Sequence, residues 1–144
     1  MKTILRNILA VILGFVGGCV VNKLLVDIGP SIVPLPEGVD VTNLESLRAS
    51  MELFAPRHFI FPFLGHALGT LTGAFIAAKI AVSHHRKFAL VVGCLFLMGG
   101  AFMIKLLGGP LWFKVCDLVL AYLPMAFWGG LLACRKPSEQ GDDA

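Results

Sequence analysis

Two titratable side chains stand in stretches that are otherwise apolar. His66 lies in FIFPFLGHALGTLTGAFIAAKIAV, residues 59–82, and Asp117 lies in LWFKVCDLVLAYLPMAFWGGLLAC, residues 111–134. An imidazole and a carboxylate at hydrogen-bonding distance can share and exchange a proton. An ionisable group inside a membrane-spanning segment is costly unless it is paired or wetted, and it is a functional candidate for that reason. His66 is seven residues in from Phe59 and Asp117 six residues in from Leu111, so each lies about 10 Å below the same surface at 1.5 Å per residue. Thr70, one turn beyond His66, and Asn22, Lys105 and Lys114 add polar groups to that layer. Together the six residues make a candidate pocket for a ligand or a proton. The structural alternative is specific. Asp117 is three residues from Lys114 and can form a local ion pair with it. His66 projects near the face of Gly73 and Ala77 and can act as a hydrogen-bonding contact between helices.

Other chemistry finds little support. Cys19, Cys94, Cys116 and Cys134 have no CxxC spacing and fall in or at the edge of apolar runs, which reads as free buried thiols. His84 and His85 are adjacent with no third ligand near them in the sequence, so no metal site is expected. There is no Walker loop, HExxH or GxSxG. Neither an enzyme nor a cofactor is expected. No basic stripe suggests nucleic acid.

The elements that must position these groups follow from hydropathy. The chain is 57% hydrophobic and 15% charged, against about 25% charged in an ordinary soluble domain. A bilayer is crossed by about 20 apolar residues. Four runs meet that requirement, at 4–25, 59–82, 88–107 and 111–134. The expected fold is all-α: a polytopic membrane protein with its four transmembrane helices in one bundle, forming a single domain. Residues 26–58 are expected outside the membrane, first as a strap set by Pro30, Pro34 and Pro36. A short amphipathic helix follows, opened by a capping box from Thr42 to Glu45 and carrying Leu44, Leu47, Met51 and Phe54. The polar tail, 137–144, is expected to be disordered. Val16-Gly17-Gly18-Cys19 resembles a lipoprotein processing site, but the apolar run continues past it, which favours an uncleaved first helix.

Small residues recur every fourth position at Gly65, Gly69, Gly73, Ala77 and Ala81, and again at Gly14 and Gly18. Such stripes let backbones approach closely in membranes. They support a helix-packing interaction or assembly protein whose partners are the bilayer and a second copy or another membrane protein. The alternative is a small-solute or ion permease, proton-linked through His66 and Asp117.

Lys2 and Arg6, Arg86 and Lys87, and Arg135 and Lys136 fall on one side of four spans, which makes that side cytoplasmic and places both termini there. The lack of an arginine-rich, serine-rich leader favours the inner membrane of a bacterium. The segments VPLPEGVDVTNLESL, HFIFPFLGHALGTLTGAFIAAKIA, LWFKVCDL and PMAFWGG resemble the uncharacterised small four-helix membrane proteins of bacteria. That resemblance implies the four-span fold and no activity.

Overall fold

The structure, a computed structural model, describes residues 2–134. Arg135, Lys136 and the tail 137–144 lie outside the described residues. The helices are α1 (Lys2–Ile32), α2 (Leu44–Ala49), α3 (Ile60–Ile80), α4 (His85–Leu107), α5 (Leu111–Leu120) and α6 (Leu123–Cys134), with 3₁₀ turns at Met51–Leu53 and Pro56–Phe59. Among the described residues there is no strand. Four helices, counting α5 and α6 together, are long and apolar enough to cross a membrane. Their surface is inside out by the standards of a water-soluble protein: Ile4, Leu5, Ile8, Leu24, Met98, Phe102, Leu111 and Trp128 are exposed, while the buried positions are mostly alanine and glycine. A surface of that kind is compatible with an apolar surrounding such as a bilayer.

Close packing explains the small interior. α1 runs antiparallel to α3, and their glycines oppose each other. A Cβ on Gly14 would lie 2.5 Å from the Gly73 carbonyl oxygen, and one on Gly18 would lie 2.5 Å from that of Gly69. Only hydrogen fits there. On another face of α3, a Cβ on Gly129 of α6 would lie 2.5 Å from the Leu71 carbonyl oxygen. α3 is therefore the central helix, with α1, α4 and α6 around it.

At the end of α3 nearest the 81–84 turn, three side chains satisfy backbone groups that the helix leaves open. Arg6 Nε donates to the Ile80 carbonyl at 3.0 Å, the Val82 amide donates to Asn7 Oδ1 at 2.9 Å, and His85 Nδ1 donates to the Ala78 carbonyl at 2.7 Å. The adjacent histidines thus have a structural use on one side: His85 caps α3, and His84 takes the left-handed turn at φ 51°.

The opposite end, which holds residues 33–59, departs from the sequence expectation in three places. α1 continues through Pro30 to Ile32, so the strap begins later than expected. Gly29 is buried against Phe61 of α3, where a Cβ would lie 2.8 Å from the Phe61 Cβ, and the Val33 amide bonds the Gly29 carbonyl at 2.8 Å. That packing offsets the one amide that Pro30 lacks. At 31 residues α1 is about 46 Å long, longer than the roughly 30 Å apolar layer requires, which leaves the Lys23–Asp27 ion pair exposed. Second, the N-cap of α2 is Asn43, whose Oδ1 accepts from the Glu45 amide at 2.8 Å. Thr42 turns back instead, and its hydroxyl and amide both bond Asp40 Oδ1, at 2.6 and 2.8 Å. Third, α2 ends at Ala49, and a 3₁₀ turn carries Met51.

The Thr42 hydroxyl, and then its amide, hold the Asp40 carboxyl below the usual carboxylate range. A value lowered by folding means that this turn is intact above the unfolded value, and it is lost as pH falls through the folded one. In an NMR titration the Thr42 amide should therefore move at a pH below about 3.9, the ordinary aspartate value. A midpoint at or above that value would show that the Asp40 turn does not form.

The loop is tied down by a histidine and a group of rings. One tautomer of His58 serves two bonds, accepting at Nδ1 from the Ala55 amide at 2.9 Å and donating from Nε2 to the Pro34 carbonyl at 3.1 Å. Phe59 packs on Phe113 and Trp112 of α5, with centroids at 4.6 and 5.6 Å. The start of α5 is thereby fixed beside the start of α3.

Candidate functional site

Pro124 decides the local geometry. It has no amide to give the Leu120 carbonyl, and its ring collides with that carbonyl in a continuous helix. The fourth run accordingly divides into α5 and α6, with a turn at Ala121–Tyr122. Asp117 occupies the last turn of α5, and Tyr122 stands just past the break. Five residues apart, the two would point in different directions on an unbroken helix; here the Tyr122 hydroxyl donates to Asp117 Oδ2 at 2.7 Å.

α3 supplies the third member. His66 Nδ1 is 2.8 Å from Asp117 Oδ1, and the His66 ring stacks on Tyr122 at 5.7 Å between centroids and 29° between planes. α4 contributes an absence: a Cβ on Gly100 would overlap the Tyr122 hydroxyl. Asp117 is fully buried and Tyr122 nearly so, whereas the His66 side chain keeps 23% of its surface exposed. Both carboxylate oxygens are thus satisfied, and the outside reaches the unit through the imidazole. With Nδ1 engaged by Asp117, Nε2 is the ring nitrogen left to take up or release a proton.

The other residues singled out in the sequence fall around this unit in different ways. Thr70 is fully buried one turn along α3, and its hydroxyl has no hydrogen-bond partner among the described residues. Such a group costs about 1–3 kcal/mol. Lys114 is part-buried and does not form the ion pair with Asp117 that its spacing allowed, because His66 and Tyr122 hold both oxygens; among the described residues the ion pairs are Lys23–Asp27 and His66–Asp117. Lys105 is exposed at the end of α4. Asn22 faces α3 at Gly65 and Gly69 and makes no bond to His66 or Asp117. Gly65, Gly69 and Gly73 face α1, Ala77 lies against Gly14, and Ala81 ends α3. The cysteines are free, but they are exposed and not buried as expected, since the interior positions are taken by alanine and glycine.

Tyr122 is the member the sequence reading passed over. It is the only tyrosine in the chain and stands two residues before Pro124. A lone phenol beside a helix-breaking proline, one turn past a buried carboxylate, was the available signal. No family model, curated protein or solved structure matches the chain.

Proposed function

We propose that this chain is a multi-pass protein of a bacterial inner membrane, with both termini cytoplasmic, and an ion permease whose ion is the proton, bound and released at His66, Asp117 and Tyr122. The observation that carries the proposal is the fully buried Asp117 carboxylate, bonded on one oxygen by His66 of α3 and on the other by Tyr122 in the break between α5 and α6. Interrupted helices near ionisable groups are a recurring construction of membrane transport sites. A proton added at His66 Nε2 creates an imidazolium already facing a carboxylate, so the charge is neutralised where it forms.

The assembly reading began from the small-residue stripe. In this geometry the stripe lies against α1 of the same chain, while the exposed faces carry bulky aliphatic and aromatic side chains. The stripe is thus occupied within the chain, and the proton reading is the one that the site geometry supports better.

The test is proton entry into vesicles that contain the purified protein and a pH-sensitive dye, driven by a potassium diffusion potential. Wild-type vesicles should acidify at least tenfold faster than empty ones, and His66→Gln should return the rate to background. Wild-type vesicles no faster than empty ones would remove the proposal.

A further inference from the structure

The loop end of the bundle holds a cavity that the proton reading leaves unused. Its volume is about 440 Å³, within the range of small-ligand sites, and it lies between the residues around the Met51–Leu53 turn and the α4–α5 connection. Part of its lining is apolar and held in place. Trp112 stands edge-on to Phe59 and Phe113, with centroids at 5.6 and 5.8 Å, and a Cβ on Gly109 would lie 3.8 Å from the Met51 sulfur. Arg48 and Glu52 supply the charge; both are exposed, and neither belongs to an ion pair among the described residues. Lys23 and Asp27 have the same four-residue spacing and pair at 2.6 Å within α1. Arg48 and Glu52 do not, because α2 ends at Ala49 and Glu52 sits on the 3₁₀ turn that follows. One positive and one negative group thus remain open in one cavity.

We propose that this cavity holds the headgroup of a phospholipid that carries both a phosphate and a primary ammonium. The two charges of such a headgroup match the two side chains: the Arg48 guanidinium donates paired hydrogen bonds to the phosphate, and the Glu52 carboxylate accepts from the ammonium. Trp112 suits the membrane interface, where headgroups lie. Leu53 and Leu111, next in the chain to Glu52 and Trp112, are exposed and give acyl chains an apolar surface, which makes a lipid the occupant and not a soluble phosphate ester. A headgroup with negative charge alone leaves Glu52 unpartnered, and a quaternary ammonium has no N–H to donate to it. The site therefore selects phosphatidylethanolamine over phosphatidylglycerol and phosphatidylcholine.

The test is native mass spectrometry of the full chain in mild detergent, delipidated and then given equal amounts of these three phospholipids with identical acyl chains. Phosphatidylethanolamine should be retained about fivefold more than either of the others, the worth of about one hydrogen bond; equal retention would overturn the proposal. Glu52→Ala should bring the three lipids to within about twofold of one another, and Arg48→Ala should lower retention of all three about fivefold. Both positions are exposed, so the melting temperature should stay at the wild-type value. A variant that melts normally and keeps the wild-type lipid pattern would overturn the assignment. Soluble phosphoethanolamine in large excess should leave the bound lipid in place, and displacement by it would overturn the choice of a lipid. None of these outcomes depends on whether the protein moves protons.

Discussion

Asp117→Ala should lower the stability of the protein by about 3 kcal/mol, the cost of leaving two buried donors without an acceptor, and should also abolish proton uptake. Asp117→Asn should abolish the uptake at a much smaller cost in stability. The two variants differ in what they leave behind. Alanine strands the His66 Nδ1–H and the Tyr122 hydroxyl, which now donate to the two carboxylate oxygens at 2.8 and 2.7 Å. Neither donor has water beside it at the Asp117 side, since Asp117 is fully buried. Asparagine keeps one oxygen as acceptor and presents an amide to the other partner. Tyr122 can accept from that amide by turning its hydroxyl, or His66 can accept by changing tautomer. What asparagine cannot do is carry the negative charge or a transferable proton. Thermal melting in detergent and the vesicle assay, run on both variants, separate the two effects. If Asp117→Asn melts like wild type and still conducts protons, Asp117 is a structural contact and the proton reading fails.

Much of the architecture was legible in the sequence, because the signals were long. The four apolar runs each extend over about 20 residues, and counting depth from Phe59 and Leu111 already put His66 and Asp117 in one layer. The details that were not legible depend on single tertiary contacts. Three prolines in seven residues, Pro30 to Pro36, read as a strap; nothing in the local sequence says that Gly29 will seat on Phe61 and hold another turn of α1 in place. Thr42 and Glu45 have capping-box spacing, but Asn43 is an equally good cap, and Asp40 competes for Thr42. Tyr122 was hidden for a related reason. Its partnership with Asp117 exists only because Pro124 breaks the helix between them, and a periodicity count assumes that the helix continues. The alternative of a Lys114–Asp117 pair has a different origin: the two do share α5, but neighbours along one helix are visible in sequence and partners supplied by other elements are not.

The largest stability effect is expected at the crossing of α1 and α3. Gly69→Leu should destabilise the protein by about 3 kcal/mol or more, because overpacking a rigid contact forces backbones apart, while Gly99→Leu should be neutral or slightly stabilising. A Cβ at position 69 would lie 2.8 Å from the Gly18 carbonyl oxygen, 3.0 Å from the Asn22 Cβ and 3.3 Å from the Asn22 amide nitrogen. Two of those three are backbone atoms, and neither can turn aside as a side chain can. The remaining leucine atoms would then have to fill a space that α1 already occupies. At position 99, on α4, nothing lies within 4 Å of a Cβ, so the leucine meets only solvent or lipid and improves the helix propensity by up to about 0.8 kcal/mol. Both substitutions add the same apolar side chain to a long apolar helix, so any general effect on insertion or expression is common to them and cancels in the comparison. The difference in melting temperature between the two variants thus reports the α1–α3 contact alone. Equal melting temperatures would mean that Gly69 does not face α1, and the small-residue stripe would then be free to receive a separate partner, which would return the weight to an assembly role.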